Sequence, residues 1–98
     1  MGAGLIAYHE LEQLRKRYRV TLVDVREKEQ YLRSHIPGAI HIAFEELMRH
    51  PMRMPAEGVV VFYCSKGNKS FRAALHFAAR GYRAYSLKGG WPVSKTFH

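Results

Sequence analysis

The chain carries a single cysteine, Cys64, and it stands where reactive chemistry is easily built. Before it runs Gly58-Val-Val-Val-Phe-Tyr63, and after it come Ser65-Lys66-Gly67-Asn68-Lys69 and a helical pattern starting at about Ser70. Gly67 is free to take a positive φ, and Asn68 tolerates one. A loop of this shape turns successive N–H groups inward and forms an anion-binding concavity. The following helix adds the positive end of its dipole, and Lys66 and Lys69 add full charges. All of these favour thiolate over thiol. Comparable settings lower a cysteine pKa from roughly 8.5 into the range of about 3.5–7.5, which makes a nucleophile at neutral pH. The same amide ring suits an anionic substrate or the outer sulfur of a persulfide. A free cysteine is ordinarily a small core hydrophobe; the strand, glycine loop and helix around Cys64 favour a reactive site.

Other residues invite chemistry less strongly. Asp24 and Arg26 close a strand, where a structural ion pair that fixes neighbouring loops is the ordinary outcome. His35 and His41 could join Cys64 around a metal, but a fourth ligand is missing and both histidines sit in turn-like surroundings. His76 falls within the last clear helix, at its surface or edge.

These residues need a scaffold, and the apolar pattern supplies one. Leu5 and Ile6 suit a short first strand. From His9 to Tyr18, Leu11, Leu14 and Tyr18 recur at helical spacing. Val20 to Val25 is a β-branched run, Glu27 to Arg33 is rich in helix formers, and His35-Ile36-Pro37-Gly38 ends that helix. Ala39 to Ile42 suits a short strand, and Phe44 to Arg49 a helix closed by Pro51. Gly58 to Cys64 is apolar throughout, as a strand covered on both faces requires. In the helix from Ser70, Phe71, Ala74, Leu75 and Ala78 share a face, and Gly81 is its stop. Tyr82 to Leu87 reads as an outer or short strand. Alternating strands and helices predict an α/β domain with a mainly parallel sheet, whose ligands bind beyond the carboxyl ends of the strands.

Composition sets outer bounds. Ninety-eight residues fit one domain, residues 1–98, without disulfides or a structural metal. With 47% hydrophobic residues, the chain can bury one modest core. A lone thiol forms no internal disulfide and suits a reducing compartment. The first residues lack a basic region and a signal-like apolar run, and Ile6 breaks the myristoylation pattern after Gly2. No stretch reaches the roughly 20 apolar residues of a membrane span. The expected address is therefore cytoplasmic, with no membrane partner. Sixteen Lys and Arg oppose eight Asp and Glu, a formal charge of +8, densest at Arg15, Lys16, Arg17 and Arg19. No nucleic-acid motif accompanies that charge. A small anionic substrate, an acidic protein partner or a solvated basic face accounts for it.

Three stretches together resemble the rhodanese family over nearly the whole chain. Leu22-Val23-Asp24-Val25-Arg26-Glu27, Tyr31 and His35-Ile36-Pro37-Gly38-Ala39-Ile40-His41-Ile42 resemble that family's D-V-R-E…Y…H-I-P-G-A-I-N-I signature. Cys64 to Ser70 resembles its C-x-x-G-x-R-S loop, and Gly81-Tyr82 with Leu87-Lys88-Gly89-Gly90-Trp91-Pro92 its G-(F/Y)…L-x-G-G-W ending. The resemblance implies an α/β fold, a single rhodanese-like domain with a mostly parallel five-stranded sheet flanked by helices. It implies sulfur transfer through a Cys64 persulfide. The donor would be thiosulfate or a related small anion, and the acceptor cyanide, a small thiol or a cysteine-bearing protein. The amides of Ser65, Lys66, Gly67, Asn68, Lys69 and Ser70 would hold the substrate, with no metal or organic cofactor. Lys69 stands where the family commonly has Arg, which removes a bidentate fork for an oxyanion; the nearby Arg72 would compensate unless its helix position points it elsewhere. The second Trp common in the family is absent, with Ser94 near its place, so a reduced last helix is expected.

Two rival enzymes fail on residue type. Phosphatase chemistry at a cysteine needs C-x-x-x-x-x-R, and the sixth residue after Cys64 is Ser70. A thioredoxin-like oxidoreductase needs a C-x-x-C pair. A partner-binding or redox-sensing rhodanese module is the alternative from another class.

Overall fold

A strand apolar at every position needs cover on both faces, and Val59–Tyr63 has it, being buried throughout. The computed structural model describes residues 3–51, 54–55 and 57–92. Its elements in chain order are β1 (Gly4–Ile6), α1 (Tyr8–Arg17), β2 (Val20–Asp24), α2 (Lys28–Arg33), β3 (Ile40–His41), α3 (Phe44–Arg49), β4 (Val59–Tyr63), α4 (Asn68–Ala78) and β5 (Ala84–Leu87). The strands lie in the order β1-β5-β4-β2-β3, and every pairing is parallel. β5 is short, as its sequence suggests, but it is not an outer strand. β1 pairs along its far side, Gly4 opposite Tyr85 and Ile6 opposite Leu87.

Side-chain alternation along β4 divides the core in two. Val60 and Phe62 face Ala73, Ala74 and Phe77 of α4 and Phe44 and Leu47 of α3. Val59, Val61 and Tyr63 face the other way, onto Leu11 of α1 and Ile36. Cys64, next in the alternation after Phe62, falls on the α3–α4 side. Ala84 of β5 joins the same core, so Ser86 shares that face.

The helices follow the predicted pattern with one change of face. On α1, Leu11 is fully buried and Leu14 partly so, while Tyr18 lies beyond the last turn and is largely solvent-facing. Arg15, Lys16 and Arg17 occupy the last turn of α1, where cations oppose the negative helix end. Arg15 also donates to the carbonyl of Pro37 at 2.7 Å. The densest basic cluster thus has structural work of its own. On α4 the buried residues are Ser70, Ala73, Ala74, Phe77 and Ala78, whereas Leu75, expected inside with Phe71, is 42% exposed. The helix begins at Asn68, two residues earlier than read from the sequence, and its buried face runs from Ser70, turned inward to the cysteine, through Ala73 to Phe77. Ser94 and the tail lie outside the described residues. Among the described residues, no helix is long and apolar enough to cross a membrane.

Phe77 lies between Phe62 and Tyr82, with ring centroids 5.1 and 5.4 Å away. Phe77→Ala is expected to cost about 3–5 kcal/mol in urea unfolding; a loss below about 1 kcal/mol would contradict this packing.

Candidate active site

β4 ends at Tyr63, and the chain there must turn within a few residues to enter α4. Gly67 makes that turn with φ +98°, a left-handed conformation that L side chains resist. Its own N–H then donates to the Cys64 sulfur at 3.0 Å, and the N–H of Ser70 donates at 3.4 Å. The Ser70 hydroxyl lies 3.3 Å from the sulfur. Cys64 is only 5% exposed. Burial pushes its thiol up. Hydrogen bonds from the Ser70 hydroxyl and from the N–H groups of Ser70, Gly67 and Lys66 outweigh that, so the pKa lies below its ordinary value. The converging N–H groups thus favour the anionic form of the sulfur, the form in which a cysteine acts as a nucleophile.

Beyond the loop, a cleft of about 240 Å³ is lined by Arg26, Glu27, Gln30, Cys64, Ser65, Lys66, Asn68 and Lys69. Gly67 and Ser70 approach the sulfur through the turn and the first turn of α4. The Lys69 ammonium turns to Glu45 of α3 at 3.3 Å. Hydrogen bonds from its own backbone N–H and from Lys69 hold the Glu45 carboxyl below the ordinary carboxylate range. Arg72 does not line the cleft; its guanidinium stands over the Phe44 ring, 5.2 Å from the centroid. Among the described residues, Lys66 is the lining cation without a carboxylate partner.

Asp24 and Arg26 form the frame behind the cleft. Both are buried, and the guanidinium grips the carboxylate through Nε and Nη2 at 2.7–3.1 Å. The backbone N–H of Arg26 adds a bond at 2.9 Å. Burial works against the arginine's charge, yet the hydrogen bonds and charge of Asp24 win and raise its pKa. The same guanidinium donates to the carbonyls of Ser34 and Trp91. Two loops are thereby fastened to the end of β2. Losing one partner of such a buried pair typically costs about 3–5 kcal/mol. Next door, burial raises the Tyr63 hydroxyl pKa far above its ordinary value, and that hydroxyl accepts from the Ile36 N–H. His41 bonds to the Arg26 carbonyl at 2.7 Å, and His35 stacks on Tyr31 and bonds to its carbonyl. Among the described residues, no three His, Cys, Asp or Glu side chains gather around a metal-sized space.

Three contributors were not singled out from the sequence. Ser86 of β5, fully buried, lies 2.7 Å from the Ser70 hydroxyl. Gln30 reaches across the cleft mouth to the Ser65 hydroxyl at 3.0 Å. Gly90 lets the chain after β5 pass directly beneath the loop, where any Cβ would strike the carbonyls of Ser65 and Cys64. Trp91 N–H then donates to the Cys64 carbonyl at 2.8 Å. A polar residue on the inward face of an apolar strand was the available signal for Ser86. Gln30 had none.

A cysteine sulfur in an amide-lined turn after the central strand of a parallel α/β sheet defines a class, and comparison with known proteins names it. The chain belongs to the rhodanese-like domain family, whose model matches residues 7–95. It is 31% identical over 94 residues to the thiosulfate sulfurtransferase GlpE of Coxiella burnetii, covering 95% of this chain and 88% of that one. It is 39% identical over 69 residues to a tRNA sulfurtransferase of Desulfurococcus amylolyticus, covering 70% of this chain but only 14% of that longer protein. A human single-domain sulfurtransferase superposes with a TM-score of 0.77 at 28% identity, covering 92% of this chain and 93% of that one.

Gly90→Ala is expected to destabilise the chain by about 1–3 kcal/mol, because positive φ and a backbone clash coincide there. It should also slow Cys64 alkylation by displacing the loop. Unchanged stability and alkylation would contradict the close approach.

Proposed function

We propose that the chain is a sulfurtransferase that carries sulfane sulfur as a persulfide on Cys64. Relatives named thiosulfate sulfurtransferase and tRNA sulfurtransferase support the transfer. The observation that carries the mechanism is the set of N–H groups converging on the Cys64 sulfur, nearest Gly67 at 3.0 Å.

In the first half-reaction the Cys64 thiolate attacks the outer sulfur of the donor. With thiosulfate, a new S–S bond forms, the bond to the sulfonate sulfur breaks, and sulfite leaves with the electron pair. The terminal sulfur of the resulting persulfide is again an anion, and the loop N–H groups and the cleft beyond Cys64 receive it. In the second half-reaction a nucleophile such as cyanide or a thiolate attacks that outer sulfur and restores the Cys64 thiolate. Enzyme and electrons balance without a further reagent.

The cleft's charges bear on the donor. Arg26 is spent on Asp24 and Lys69 on Glu45, which leaves Lys66 to meet an anionic donor at the mouth. A point charge on a flexible stem gives no bidentate grip on a sulfonate. Thiosulfate is therefore expected to bind weakly, and low-molecular-weight or protein persulfides to serve at lower concentration.

Incubation with thiosulfate or glutathione persulfide, followed by intact mass measurement, is expected to show a gain of one sulfur atom. Added cyanide should remove it as thiocyanate, and Cys64→Ser should show neither event. Absence of the sulfur adduct with both donors, or its persistence in the Cys64→Ser protein, would sink the proposal.

A further inference from the structure

Ser86 lies on β5, away from the cleft, yet its buried hydroxyl has one partner among the described residues, the Ser70 oxygen at 2.7 Å. Ser70 has three: Ser86, the Gly67 carbonyl at 3.2 Å and the Cys64 sulfur at 3.3 Å. A hydroxyl has one proton and two lone pairs, so these contacts cannot all be donated by Ser70.

Counting protons assigns them. With Cys64 as a thiol, the S–H donates to Ser70, and Ser70 donates to the Gly67 carbonyl. With Cys64 as a thiolate, the sulfur has lost its proton to solvent and can only accept. The charged sulfur is then a stronger acceptor than the Gly67 carbonyl and draws the Ser70 proton, and the contact with Ser86 persists in that state with Ser86 as the donor. We infer that Ser86 is a positioning residue: it donates to Ser70, so the Ser70 proton is never spent on Ser86 and stays free to turn from the Gly67 carbonyl to the Cys64 thiolate. A donor that itself accepts a hydrogen bond is polarised and donates more strongly in a buried, low-dielectric setting. Both serines are fully buried, so water does not replace the missing donor.

The arrangement follows from strand register. Ser86 pairs with Phe62 across the β4–β5 ladder and faces α4, as Phe62 and Cys64 do. The charged groups lining the cleft at the sulfur are Arg26, paired with Asp24, and Glu27 from the turn after β2, Lys66 from the loop, and Lys69 of α4, paired with Glu45 of α3. β5 adds a neutral hydroxyl there. A change at position 86 consequently alters the hydrogen-bond chain without altering local charge.

This inference rests on the reading of Cys64 as the working nucleophile, but its test does not use sulfur transfer. The rate of Cys64 alkylation by iodoacetamide would be followed against pH for the parent chain, Ser86→Ala, Ser70→Ala and the double variant. Ser86→Ala is expected to move the midpoint upward by about half a pH unit, and Ser70→Ala by more. In the Ser70→Ala background, Ser86→Ala should add less than about 0.2 unit, since the relay is already gone. A midpoint unmoved or lowered by Ser86→Ala, or an equal shift in both backgrounds, overturns the assignment. Should the alanine variant fail to fold, Ser86→Thr and Ser86→Val, alike in shape, repeat the comparison. Threonine should stay near the parent midpoint and valine should raise it, and the reverse order overturns the assignment. A failed relay with an intact sulfur adduct would remove Ser86 alone; an intact relay without the adduct would remove the transfer chemistry alone.

Discussion

Hydrogen bonds from a tight turn to one buried sulfur are the constraint around which the rest of the structure is arranged. Taking an anion out of water is costly unless dipoles replace its hydration. At Cys64 that replacement comes from backbone N–H groups, which are fixed before any substrate arrives. Their placement depends on the parity of β4, which aims Cys64 toward α4, and on Gly67, which lets α4 begin one residue later. It depends also on Gly90, without which the strand-to-tail connection could not run under the loop and bond to the Cys64 carbonyl through Trp91.

Formal charge plays a smaller part than the composition suggests. Of the cations near the cleft, Arg26 is locked to Asp24, Lys69 faces Glu45, and Arg72 covers Phe44. The basic cluster of α1 serves the end of its own helix and the turn at Pro37. Lys66 is the lining cation left without a carboxylate partner among the described residues, and the groups that reach the sulfur itself are peptide N–H groups and the Ser70 hydroxyl. In the proposed persulfide chemistry the charge would sit first on Cys64 and then one atom further out, and dipoles in a ring serve both positions.

Much of the scaffold was legible in the residues. The apolar run at Val59 to Tyr63 marked a doubly covered strand, and the strand–glycine–helix sequence around Cys64 marked the loop. What escaped was decided by tertiary packing. Periodicity alone put Leu75 inside, but α4 turns the larger Phe77, with Ala73 and Ser70, toward the sheet and leaves Leu75 exposed. The two-carbonyl contact at Gly90 cannot be seen without the path of the chain beneath Cys64. Ser86 offered only a faint sign, a hydroxyl between Tyr85 and Leu87. Its meaning depends on the register that sets it opposite Phe62. Lys69 read as a charge for the site and lines the cleft, while its exposed pair with Glu45, twenty-four residues away in sequence, could not be read from spacing.

The most direct measurement is an ultraviolet titration of the thiolate in the unmodified chain, with Cys64→Ser as the blank. The hydrogen-bonded turn predicts a midpoint below the roughly 8.5 of free cysteine, with thiolate absorbance already present at neutral pH. A midpoint at or above that value would mean that burial prevails over the amides, and the site described here would not be a nucleophile's.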